Sequence, residues 1–256
     1  MKRIALWMGF AILAVPAAAQ ESPAAAPASS PAPSACAAPE NGTPALTVEE
    51  IVARLQQANA RRAALLQSYT ATRSYHAENL RWKKSAEMEA TVKFTSPATK
   101  LFTVEKESGS GIIRRMVFRG MMNAEVDALK PEMKRRTEIG PGNYRFRLLE
   151  EEEVLEGQRA YVLEAEPVRE DKYLFRGRIW VHACDFAIAK LRGSPAKSPS
   201  FWTRKVEYEK TYQKVGEFWL PWREDATSEI RIFGKSVARV EHSGYQLEVK
   251  SSPAPE

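Results

Sequence analysis

Beyond Ser85 the chain is governed by alternation with a period of two. Ala86, Met88, Ala90, Val92 and Phe94 alternate with Ser85, Glu87, Glu89, Thr91 and Lys93, which predicts a strand with one dry and one wet face. The period returns in Tyr144, Phe146 and Leu148, in Tyr161, Leu163 and Ala165, and in Tyr173, Phe175, Ile179 and Val181. It returns again in Val206, Tyr208 and Tyr212, and in Phe218, Leu220 and Trp222. Turn signals separate these sets: Glu156-Gly157-Gln158, Cys184-Asp185, Gly193-Ser194-Pro195 and Val215-Gly216-Glu217. Short strands joined by tight turns predict an antiparallel sheet. About ten to eleven of them are too many for a flat sheet, so the sheet must curve strongly into an unclosed half-barrel.

Two segments break this period. Thr47-Val48-Glu49-Glu50 places an N-cap hydroxyl three residues before a carboxylate, and Ile51, Val52, Leu55, Ala58, Leu65 and Leu66 follow at helical spacing to about Gln67. Met121 to Glu138 also reads as helical, with Met122, Val126 and Leu129 on one side and Pro131 forcing a break. The fold class is therefore mainly β with α. The economical burial of three apolar surfaces lays both helical pieces into the concavity of the sheet, the inserted one as a lid.

Outside this body the composition changes. Residues 1–19 have a basic start at Lys2 and Arg3, an apolar run from Ile4 to Val15 and the small exit Ala17-Ala18-Ala19, the layout of a secretory signal peptide. The apolar run falls short of the about 20 residues a spanning helix needs. Residues 20–45 collapse to Ala, Pro and Ser, which predicts a disordered linker; the domain proper runs over 46–250, and 251–256 form a short tail. The expected location is the space outside the cytoplasmic membrane. Cys36 lies in the linker, where Pro33 stands in place of the large aliphatic residue of an acylation site, so no lipid anchor is expected. In an oxidising compartment Cys36 and Cys184 either bridge or remain two separate thiols.

Charge and chemistry narrow the function. The formal net charge of +6 is mild for 256 residues and comes with no sustained basic run, which excludes nucleic acid as the expected partner. Three histidines and two cysteines have no metal-binding spacing, and no cofactor is implied. No catalytic residues emerge: Gly-x-Ser-x-Gly is absent, and Gly109-Ser110-Gly111 reads as a hairpin turn before a strand rather than a phosphate cradle. His182-Ala183-Cys184-Asp185 reads as a turn between strands, and Glu150 to Glu153 as a solvated strand end. The clusters Arg114-Arg115 and Lys134-Arg135-Arg136 suit either anionic headgroups or plain solubility. An aromatic-rich sheet closed by a helix that carries methionines makes an apolar space able to repack around acyl chains.

Phe175-Arg176-Gly177-Arg178-Ile179-Trp180-Val181, Ala196-Lys197-Ser198-Pro199-Ser200-Phe201-Trp202 and Tyr212-Gln213-Lys214-Val215-Gly216-Glu217-Phe218-Trp219-Leu220-Pro221 together resemble a divergent periplasmic branch of the LolA/LolB superfamily of outer-membrane lipoprotein-sorting proteins. The resemblance is specific from about Asn143 to Tyr245, and before that only the order of elements agrees. It implies a half-barrel with a helical lid, and a monomeric carrier of acyl chains of lipoproteins or lipids that works with inner- and outer-membrane transport proteins. The residues expected to line the cavity are Phe94, Met122, Val126, Leu129, Phe146, Trp180, Phe218 and Trp222. Carriers of this kind hold the lid with an arginine just before a proline at a strand start; the comparable stretch here is Thr95-Ser96-Pro97, without arginine. This branch usually has an acidic residue where His182 stands. The same fold serves the RseB/MucB regulators, so the alternative function is an envelope-stress regulatory module that binds a membrane partner.

Overall fold

The computed structural model describes residues 46–155 and 158–250. The expected signal peptide, the linker with Cys36, the Glu156-Gly157 turn and the tail lie outside the described residues. Helix α1 (Val48–Leu65) starts as its sequence dictates: the Thr47 hydroxyl accepts the Glu50 N–H at 3.2 Å, and the Glu50 carboxylate accepts the Thr47 N–H at 2.8 Å. The chain then passes directly into β1 (Leu66–Asn79), β2 (Lys84–Thr95) and β3 (Thr99–Gly109). A helical insert follows: α2 (Gly111–Ile113), a wide π turn (Arg114–Phe118), α3 (Arg119–Ala128) and α4 (Pro131–Thr137). Seven strands complete the body: β4 (Tyr144–Leu155), β5 (Gln158–Pro167), β6 (Phe175–His182), β7 (Ile188–Pro195), β8 (Thr203–Val215), β9 (Phe218–Ile230) and β10 (Gly234–Val249).

All ten strands form one antiparallel sheet in the order β3-β2-β1-β10-β9-β8-β7-β6-β5-β4. The first and last strands of the body pair along most of their length, and β3 and β4 become the two free edges. The helical insert is the covalent connection between those edges. Topology alone therefore carries it from one side of the open sheet to the other.

The predicted dry face of β2 is the buried one: Ala86, Met88, Ala90, Val92 and Phe94 are all buried. Helix α1 presses Ile51, Val52 and Leu55 against Leu163, Ile179, Val181 and Leu191 in the largest apolar cluster. Phe118, Met121 and Met122 of the insert pack on Tyr75, Ala77, Met88 and Val240. Between β6 and β7, Gly177 faces Gly193 across the ladder. A Cβ on Gly177 would sit 2.1 Å from the Arg192 carbonyl oxygen, so the sheet closes here only because neither residue has one.

Two details depart from the sequence pattern. Gly109-Ser110-Gly111 opens the helical insert instead of a hairpin: the apolar residues after it wind into wide helical turns that bury Phe118. In β9 a bulge faces Thr211 and Tyr212 with Arg223 and Pro221, which leaves Trp222 as the extra residue. The inward phase shifts, and Trp222 is 51% exposed.

Candidate functional site

A band of charge crosses the concave face between the apolar clusters. Arg73 on β1 is opposite His242 on β10, and Lys210 on β8 is opposite Glu224 on β9. All four point inward in phase with apolar neighbours, as does Lys100 at the start of β3. Helix α3 supplies the sixth group. Glu125 accepts from Arg73 Nη1 at 2.5 Å with one oxygen and from Lys100 Nζ at 3.0 Å with the other. Lys210 Nζ lies 2.7 Å from Glu224 Oε1, and His242 Nε2 lies 3.3 Å from the same oxygen. Two cations also rest on rings, Arg73 at 5.2 Å from Phe102 and Lys210 at 5.5 Å from Tyr212.

The electrostatics follow from burial opposed by neighbours. Burial is the largest influence on Glu125 and pushes its carboxyl up, but Arg73 and Lys100 together outweigh it and hold the group well below the carboxylate range. Glu224 behaves alike beside Lys210 and His242, held at about 2. Burial, then the charge of Arg73, lowers His242 to about 4, so the ring is neutral at pH 7. Three cations then face two carboxylates. The Nδ1 of His242, the Nε of Arg73 and the Tyr75 hydroxyl have no hydrogen-bond partner among the described residues. The band ties the insert to the sheet: Glu125 is the α3 side chain that joins the cations of β1 and β3.

Beside this band a cavity of about 510 Å³ opens between α1, α4 and the sheet, within the ~300–1,000 Å³ common for small-ligand sites. Ala63, Ile139, Ala187, Ile188, Tyr212 and Trp219 give it apolar walls, and Arg62, Lys134 and Arg135 stand around it with one carboxylate, Glu138. Arg62 also fastens the last turn of α1 to the strand turns, donating to the carbonyl oxygens of Asp185, Phe186 and Glu217. The Asp185 carboxylate accepts from Trp219 Nε1 at 2.8 Å and pairs with Lys214 Nζ at 2.7 Å. His182 Nδ1 accepts the Asp185 N–H at 3.2 Å. These contacts make His182 to Asp185 the structural turn its spacing suggested. Cys184 is in a disulfide; Cys36 lies outside the described residues.

The structure separates the residues expected to line one cavity. Phe94, Phe218 and Leu129 share a cluster with Tyr69 and Leu247, and Phe94 stacks on Tyr69 at 5.3 Å. Met122 belongs to the neighbouring cluster under the insert, and Phe146 packs at the margin of the α1 cluster beside Tyr144. Three are placed elsewhere. Trp180 forms a small separate cluster with Ala160 and Val162, and its indole donates to Glu153 at 2.6 Å; as the neighbour of inward Ile179 and Val181, it takes the opposite face. Trp222 is turned out by the bulge. Val126 is 38% exposed because α3 buries Met121, Met122, Ala124 and Ala128 with Glu125 half-buried beside them, a stripe rotated from the expected one. That stripe contains a carboxylate, which an apolar pattern passes over. Arg73 among Tyr69, Ala71, Tyr75 and Ala77, and Lys210 among Val206, Tyr208 and Tyr212, were visible only as charges in phase with a dry face.

No protein-family model matches the chain, and no curated protein matches it in sequence. Solved structures do. A LolA superfamily protein from Nitrosomonas europaea is similar at 12% identity over 82% of this chain and 96% of its own, with a TM-score of 0.38. A DUF1329 family protein from Desulfovibrio piger is similar at 14% identity over 80% and 93%, with a TM-score of 0.41. The complex of MucA and MucB from Pseudomonas aeruginosa is similar at 10% identity over 78% and 98%, with a TM-score of 0.27.

Proposed function

We propose that this is a non-enzymatic binding protein that works in the periplasm and holds acyl chains of a lipid or lipoprotein between its helices and its half-barrel. The cavity between α1, α4 and the sheet carries the reading: its walls are apolar, and the exposed Lys134 and Arg135 stand where an anionic headgroup would emerge. The placement of the insert supports a lid, since it crosses from one free edge of the sheet to the other and meets the sheet through Phe118, Met121, Met122 and the Glu125 carboxylate. No helix among the described residues is long and apolar enough to cross a membrane.

The test is an organic extract of the protein purified from the periplasm, analysed by mass spectrometry, beside binding of a fluorescent acyl probe. Lipid in the extract and saturable probe binding are expected. Ala63→Trp places an indole in the cavity from a partly exposed position of α1, and should weaken the probe with little effect on thermal unfolding. A protein that yields no lipid and binds no probe is better read as a regulator that binds a protein partner.

A further inference from the structure

The ends of β8 and β9 remote from Tyr212 and Trp219 lie among three turns that form one exposed surface. The β1–β2 turn meets the β9–β10 turn: the Leu80 N–H donates to the Lys235 carbonyl at 3.0 Å, the Asn79 amide donates to the Phe233 carbonyl at 2.7 Å, and Trp82 packs on Phe233 at 5.0 Å. The β9–β10 turn meets the β7–β8 loop: the Arg231 N–H donates to the Trp202 carbonyl at 2.9 Å, and the Arg231 guanidinium lies 4.9 Å over Phe201. Large apolar side chains stand out on this surface. Leu80, Trp82, Trp202 and Ile232 are exposed, and Phe201 is 74% exposed.

Its charge is one-sided. Residues 80–84, 197–205 and 231–235 contain eight lysines and arginines and no aspartate or glutamate, against a net +6 for the whole chain. Arg204 and Lys205 pair with Glu229 and Glu207, set back in the strands. Arg81, Lys83, Lys84, Lys197, Arg231 and Lys235 are exposed and have no ion pair among the described residues.

We infer that these three turns dock the protein on the surface of an anionic lipid bilayer, with Trp82, Phe201, Trp202 and Ile232 entering the interface and the surrounding lysines and arginines meeting the headgroups. Tryptophan favours that boundary because its ring is apolar and its N–H needs a polar neighbour. Cations nearby are drawn to negative headgroups, at about fivefold in affinity per residue, and the attraction fades beyond a Debye length. An acidic protein would also satisfy the charge, but it would not require aromatic and aliphatic side chains at the outermost positions of turns. Docking is independent of what the cavity holds.

The experiment is sedimentation of the secreted protein with vesicles of phosphatidylglycerol and phosphatidylcholine, beside vesicles of phosphatidylcholine alone. The protein should pellet with the first, much less with the second, and less at high salt. Lys83→Glu with Arg231→Glu should weaken pelleting by more than about 25-fold. Phe201→Ser with Ile232→Ser should weaken it while keeping the salt dependence. Both variants change exposed side chains, so thermal unfolding should match wild type. Wild type left in the supernatant, with or without extracted lipid, overturns the inference; so does equal pelleting with both vesicles, or with wild type and both variants. Retention on immobilised polyglutamate without pelleting assigns the surface to an acidic protein and overturns it too.

Discussion

Glu125→Gln isolates the charge that joins the insert to the sheet. The substitution keeps the length of the side chain and an acceptor oxygen, and it leaves Arg73 and Lys100, with side chains 2% and 3% exposed, facing no carboxylate from α3. Removing one partner of a buried pair typically costs ~3–5 kcal/mol, because the remaining charge is left desolvated. Here the cost should fall at the lower end, about 3 kcal/mol, since the helix can lift and admit water to both cations. Urea titration at pH 7 measures it. In a cycle with Arg73→Met the double variant should recover part of the loss, with a coupling above about 1 kcal/mol. If the helix acts as a lid, the acyl probe should also enter Glu125→Gln faster than wild type. A loss below about 0.5 kcal/mol, the scale of an exposed pair, would refute the reasoning, as would costs that simply add.

Acid should destabilise the protein before its carboxylates titrate. His242 binds a proton at about 4 when folded and near 6.5 when unfolded, so its contribution is present above pH 6.5 and lost as pH falls towards 4; the shift amounts to about 3 kcal/mol, and His242→Gln should flatten that part of a stability–pH curve. Phe94→Ala should cost roughly 3–5 kcal/mol in the same titration, and Glu89→Ala on the wet face of the same strand less than about 0.5 kcal/mol; equal losses would reverse the face assignment. Gly177→Ala drives a methyl group into the Arg192 carbonyl and should cost several times the ~1 kcal/mol of an ordinary glycine change, lowering the thermal midpoint accordingly. Val126→Glu should be tolerated within about 1 kcal/mol, whereas Met121→Glu should not, which a thermal comparison of the two decides.

Local rules were enough wherever one residue type served one face. The Thr47–Glu50 box fixes the start of α1 because its partners are three residues apart, and the dry face of β2 follows from strict alternation in a strand that is wet on its other side. The approximate number of strands and their antiparallel direction were legible for a similar reason, since short strands with tight turns have few other ways to satisfy their backbone groups, whereas the pairing of β1 with β10 was not. The elements of the candidate site were legible as far as a helical insert between strands, and no further.

What only the tertiary structure decided lies where distant segments meet. Arg73, Lys100, Glu125, Lys210, Glu224 and His242 come from six elements, and each alone is an ordinary charged or polar residue. A charge in phase with an apolar face is stable only if an opposite charge arrives from elsewhere, and a single segment does not state whether it does. The same holds for the rotation of α3, where Glu125 meets two cations while Met121, Met122, Ala124 and Ala128 are buried beside it. The bulge at Trp222 is likewise invisible locally, because one extra residue is defined only against the partner strand β8. The exposed turns joined late for the same reason: Trp82, Phe201 and Ile232 are far apart in the chain, and sheet order alone brings them to one end.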